Sequence, residues 1–106
     1  MAAFAASKQM AGLVRFAPYD ASLEGLQVID VRSQSEREDD PLLCQHIGIP
    51  VCEIRARMHE LDPLVETVVV CAVGKRSYLA ARILNGMGMQ NVSTLSGGQT
   101  LRRLAS

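Results

Sequence analysis

The chain has no tryptophan, and its only aromatic residues are Phe4, Phe16, Tyr19 and Tyr78. A surface of rings for stacking nucleic-acid bases is therefore not expected, and the core has to be aliphatic. Neither sign of charge is in excess: eleven Lys and Arg balance eleven Asp and Glu, leaving no net field for nucleic acid or anionic lipid. No apolar run approaches the ~20 residues of a membrane span. The small, apolar stretch Met1 to Ser7 has no basic segment before it, and Lys8 and Gln9 interrupt it, so it does not read as a secretory leader. The three cysteines, Cys44, Cys52 and Cys71, are odd in number and form no CxxC pair. They read as free thiols in a reducing compartment, which points to the cytoplasm. Cys44, His46 and Cys52 also lack the spacing of zinc ligands, so no metal site is expected.

What is present fits one globular domain. The chain has 106 residues, 48% hydrophobic and 21% charged, enough for one core and too few for two. Met1 to Leu13 is Ala-rich with apolar residues at helical spacing, and its outer face is weakly polar, as in a helix that lies against something else. Gln27-Val28-Ile29-Asp30-Val31 predicts a short buried strand. Ser33 to Asp40 reads as a loop or a single helical turn closed by Pro41, and His46 to Ile49 as a second short strand stopped by Pro50. Ile54, Met58 and Leu61 share one face of a predicted helix ended by Asp62-Pro63. Thr67 to Cys71 is a β-branched run without alternation, the pattern of a parallel strand buried on both faces. Leu79, Ala80, Ile83, Leu84 and Met87 predict a helix ended by Gly86 and Gly88, and Val92 to Leu95 a further strand before a short Leu101/Leu104 helix. Alternating strands and helices give an α/β fold with a parallel sheet and helices on both faces.

The chemistry concentrates in Cys71-Ala72-Val73-Gly74-Lys75-Arg76-Ser77. A cysteine ends the clearest strand, and a helix begins a few residues later. Ligands of open parallel sheets bind beyond the carboxyl ends of strands. Inward-pointing loop amides, the helix N-terminus and the charges of Lys75 and Arg76 all favour a thiolate, the reactive form of cysteine. Gly74 permits the tight path such a loop needs.

Val28-Ile29-Asp30-Val31-Arg32, the Cys71–Ser77 loop and Asn91-Val92-Ser93-Thr94-Leu95-Ser96-Gly97-Gly98 resemble the three signature blocks of rhodanese-like domains, in that family's order and at about its spacing. The resemblance implies a three-layer α/β domain over residues 18–106, preceded by a helix and linker over 1–17. It implies a sulfurtransferase in which Cys71 takes a sulfane sulfur from a small donor, holds it as a persulfide and passes it to a thiol acceptor. Ala72, Val73, Gly74, Lys75, Arg76 and Ser77 would bind the substrate, Asp30 and Arg32 would hold loops near the cysteine, and no metal or organic cofactor would be needed. A non-catalytic regulatory or docking module on the same fold is the alternative. Cysteine-dependent phosphatases and arsenate reductases fit less well: they place five residues between cysteine and arginine, whereas four separate Cys71 from Arg76 and Ser77 stands in the arginine position. A phosphate loop at Gly74-Lys75 fails because Val69 occupies the first glycine position.

The sequence departs from the family before Pro50. The usual Gly-His-Ile-Pro-Gly-Ala segment falls on Pro41-Leu42-Leu43-Cys44-Gln45-His46 without gaps, so His46 is expected to be a strand residue with no catalytic role. The N-terminal segment Met1 to Phe16 and the stretch Arg76 to Leu84 are also similar to the rhodanese-like tails of coenzyme A-disulfide reductases and related NADH oxidases. That similarity implies a possible flavoprotein disulfide reductase partner domain, with FAD, NAD(P)H and coenzyme A entering only through such a fusion.

Overall fold

The computed structural model describes residues 14–18, 22–42, 44–95 and 97–99. In chain order it contains β1 (Arg15–Ala17), β2 (Gln27–Asp30), α1 (Gln34–Asp39), β3 (Ile47–Gly48), 3-10 turns at Val51–Glu53 and Met58–Glu60, β4 (Thr67–Val70), α2 (Lys75–Gly86) and β5 (Val92–Leu95). The strands form one sheet in the order β1-β5-β4-β2-β3 with every adjacent pair parallel. The fold is thus α/β. The expected helices at Met1 to Leu13 and at Leu101/Leu104 lie outside the described residues.

Alternation along the strands divides the core into two layers. Ile29, Val31, Val69 and Cys71 face α2, which buries Ala80, Ala81 and Leu84 against them. Val28, Val68 and Val70 face the other way, toward Leu23 and Leu42. All four residues of β4 are buried, as its unbroken β-branched run requires. The chain leaves β2 toward Leu42 on one face and leaves β4 toward α2 on the other. Adjacent strands that part to opposite faces open a crevice beyond their carboxyl ends. Asp30 pairs with Val70 there, and Cys71 is the next residue.

Several local expectations change. Residues 15–17, expected within a linker ending at 17, pair with Ser93, Thr94 and Leu95 as an edge strand; the folded sheet therefore begins before residue 18. Three residues carry too little pattern to announce a strand, and β1 is held by Ala17 burial and by Arg15 Nη2 donating to the Gln90 carbonyl at 2.7 Å. The expected helix through Ile54, Met58 and Leu61 is instead two 3-10 turns separated by residues 54–57. Ile54 and Leu61 are still buried. The Gln27 side chain grips the Asp62 backbone at both N–H and carbonyl, 2.9 and 3.0 Å, which pulls the chain out of a helix before Pro63. Ser33 to Asp40 does contain a helix, α1, closed by a reciprocal Ser33–Glu36 capping box. On α2 the buried stripe is Ser77, Ala80, Ala81 and Leu84, while Leu79 and Met87 are exposed.

Candidate active site

Cys71 leaves β4 fully buried, and its loop folds back over the sulfur. The Gly74 N–H donates to Sγ at 3.0 Å, and Sγ lies 3.5 Å from the Ser77 hydroxyl. Gly74 sits at φ +106 as the residue before α2, a conformation that L side chains rarely adopt. This position lets the chain turn from strand to helix within four residues while aiming its amide inward. Burial pushes the Cys71 thiol up, but the Ser77 hydroxyl and the N–H groups of Ser77, Gly74 and Val73 outweigh it, so the pKa lies below its ordinary value. Hydrogen-bond donors of the loop are the main support of the thiolate, and the Arg76 guanidinium adds a charge interaction with Cys71.

The back of the loop rests on Gly98. This glycine has φ +64, and a Cβ there would overlap the carbonyl groups of Cys71 and Ala72. The Gln99 N–H donates to the Cys71 carbonyl at 2.8 Å. The double glycine after β5 is thus a close-approach surface for the cysteine loop.

The charged residues divide differently from expectation. Both terminal nitrogens of Arg76, expected to bind substrate, are held by the Glu36 carboxylate at 2.6 and 2.8 Å. The pair clamps the first turn of α2 to α1. Hydrogen bonds from Arg76 and from the Ser33 N–H hold the Glu36 carboxyl at about 2. Lys75 is exposed and supplies the loop's uncommitted cation among the described residues. Asp30 and Arg32 are both buried and paired at 2.9 Å, and Arg32 reaches on to the Asp40 carbonyl at 2.7 Å. They brace the connection from β2 through α1, and so support the cysteine loop indirectly through Glu36 and Arg76.

Two residues with a part in this site make contacts to the loop that nothing in the sequence announces. Glu36 lies 40 positions before Arg76 in an otherwise acidic surface segment. Thr94, fully buried in β5, hydrogen-bonds the Ser77 hydroxyl at 2.5 Å. Only the parallel register, which sets Val69 beside Thr94, brings it under the loop. Beside the loop, Phe16, Val73, Gly74, Lys75, Tyr78, Leu95 and Gly97 line an open groove of about 410 Å³. Phe16 and Tyr78 stack across it with ring centres 5.9 Å apart.

His46 stands apart, directly before β3. Its Nδ1 lies 2.8 Å from the Cys44 carbonyl, and it lines a cleft with Gln27 and Val28 at the start of β2, the opposite end of the sheet from Cys71. Cys44 is half-buried beside it, and Cys52 is exposed. Among the described residues no three His, Cys, Asp or Glu side chains gather as a metal cluster, and no helix is long and apolar enough to cross a membrane.

Comparison with known proteins matches residues 19–100 to the model of the rhodanese-like domain. A tRNA sulfurtransferase of Pseudomonas fluorescens is 38% identical over 74 residues, which is 67% of this chain and 15% of that protein. The solved structure of an NAD-dependent persulfide reductase from A. fulgidus superposes with a TM-score of 0.72 at 35% identity, covering 88% of this chain and 16% of that one. Reduced CoADR-RHD from Bacillus anthracis gives a TM-score of 0.77 at 27% identity, covering 86% and 16%. The chain spans about a sixth of the length of each of these three proteins.

Proposed function

The chain belongs to the rhodanese-like domain family, and from that premise we propose that it is a sulfurtransferase with Cys71 as the sulfur carrier. The observation that carries this reading is the cradle itself: an amide at 3.0 Å and a hydroxyl at 3.5 Å on a buried sulfur, both able to stabilise a sulfur anion. With thiosulfate as donor, the Cys71 thiolate attacks the outer sulfur. The S–S bond breaks and sulfite departs with the bonding pair, leaving a Cys71 persulfide. An acceptor thiolate then attacks the outer sulfur of that persulfide, leaves as a persulfide itself and returns the electron pair to Cys71 as thiolate. The two half-reactions share one carrier and give ping-pong kinetics. Lys75 is the cation free to attract an anionic donor, and the Phe16–Tyr78 groove accommodates an apolar substituent of donor or acceptor.

Intact mass after incubation with thiosulfate and other sulfane donors tests the reading. One added sulfur atom, mapped to Cys71, is expected. No adduct with any of several donors would favour a non-catalytic docking module.

The likeness to the persulfide reductase and to CoADR-RHD, of each of which the match covers 16%, favours a second, compatible reading. The domain would work as part of, or beside, a flavoprotein disulfide reductase, exchanging sulfur with a cysteine of that enzyme. An upstream flavoprotein in the same reading frame is the expected finding for the fused form; a stop codon directly before Met1 would leave only the free-standing one.

A further inference from the structure

Three buried groups at the site share few protons. Ser77 Oγ lies 3.1 Å from the Gly74 carbonyl, 3.5 Å from Cys71 Sγ and 2.5 Å from Thr94 Oγ1. Ser77 and Thr94 are 0% and 1% exposed, so water does not substitute for any of these contacts. A serine hydroxyl has one proton and two lone pairs. When Cys71 is a thiol, its S–H donates to Ser77 Oγ, and the Ser77 proton goes to the Gly74 carbonyl, which can only accept. When Cys71 is a thiolate, Sγ can only accept, so the Ser77 proton turns to it. In both states the proton of Ser77 is committed, and the bond between Ser77 and Thr94 has to be carried by the proton of Thr94.

We propose that Thr94 is a positioning residue for the Cys71 thiolate: its hydroxyl donates to Ser77 Oγ in both states and makes Ser77 a two-position rotor between the Gly74 carbonyl and Sγ. Thr94 never touches the sulfur. It occupies one lone pair of Ser77, fixes the oxygen between β5 and the cysteine loop, and polarises the O–H that turns toward Sγ. The parallel register of β4 and β5 supplies this geometry, because Val69 and Thr94 are partners and Cys71 lies two residues beyond Val69. The idea rests on the reading of Cys71 as the reactive residue, but its test needs no sulfur donor.

The test is the pH dependence of Cys71 alkylation by iodoacetamide, in a chain carrying Cys44→Ser and Cys52→Ser so that one thiol is read. Thr94→Val keeps the shape and removes the hydroxyl; Thr94→Ser keeps the hydroxyl and removes the methyl. The charged groups around the loop, Lys75, Arg76 with Glu36, and Asp30 with Arg32, stay the same in each. Thr94→Val should move the alkylation midpoint to higher pH and slow the reaction below the midpoint by roughly twofold to fivefold, the effect of part of one neutral hydrogen bond. Thr94→Ser should retain the parent profile, and in a Ser77→Ala background Thr94→Val should add no further shift. A parent-like profile for Thr94→Val would overturn the proposal, as would an equal shift in Thr94→Ser or a full shift without Ser77. Should Thr94→Val not fold, Thr94→Ala carries the same expectations. If alkylation follows these expectations and sulfur loading fails, the function is wrong and the rotor stands; the reverse pattern separates them in the other direction.

Discussion

Replacing Cys71 by serine should abolish sulfur transfer, whereas Cys44→Ser and Cys52→Ser should leave most of it, because among the described residues only the Cys71 sulfur has an amide and a hydroxyl on it. Transfer rates of the three variants check this. Gly98 gives a sharper residue-scale prediction. An added Cβ there meets the carbonyl groups of Cys71 and Ala72 and sits at a positive φ; strain of this kind costs roughly 1–3 kcal/mol. Gly98→Ala should therefore lower the denaturation midpoint and also disturb Cys71 alkylation, although residue 98 lies 27 positions away. The cysteine, its glycine and the double glycine after β5 were all legible in the chain as residues. Their contact was not, since nothing in a linear pattern says that one loop leans on another.

At the scale of elements, α1 is attached in an unusual way. It contributes no buried residue; its ends, the Glu36–Arg76 pair and the Arg37 guanidinium lying against Gly48 of β3 attach it. Glu36 has its pKa lowered from 4.5 to about 2, chiefly by Arg76. A carboxyl with a depressed folded pKa stabilises the fold fully above the unfolded value and loses that contribution as pH falls through the folded one. Acid should thus weaken the attachment of α1 between about pH 4.5 and pH 2. The carboxylate is about a third exposed, so the contribution is of order 1 kcal/mol or less and shrinks with salt. Urea midpoints of Glu36→Gln against the parent should converge as pH falls across that window and as salt rises. β1 presents the opposite case, an attachment by an aromatic ring. Phe16→Ala removes the stack on Tyr78 and should cost about 1 kcal/mol beyond lost burial, read as a lower melting point with an unchanged alkylation profile. The elements legible in the sequence are those with a pattern of their own: the Val68–Val70 run of β4 and the helical spacing of α2. β1 has none, and the helical spacing of Ile54, Met58 and Leu61 misleads, because a partner strand and the Gln27 side chain decide these segments.

Across the whole molecule, the charged groups near the site are largely spent on structure: Asp30 on Arg32, and Glu36 on Arg76. Lys75 is left to meet substrate, so Lys75→Ala should slow loading by thiosulfate more than loading by an uncharged sulfane donor. Competition between the two donors in one reaction measures the ratio. The parallel sheet and a site beyond the carboxyl ends of its strands were legible from the alternation of elements, since chain direction and handedness leave few alternatives; the crevice between β2 and β4 was not. Which cation would remain free was not, because it depends on a side chain brought in from α1.

The depth of Cys71 has a consequence of its own. Its sulfur is wholly enclosed, and a second sulfur bonded to it would stand about 2 Å further out. On the proposed carrier reading, the unloaded domain hides its reactive atom and the loaded domain extends one beyond it. Slender donors would thread in to charge it, while a broad acceptor would meet only the cargo. The reach of a single atom would then tell a partner whether the carrier is full.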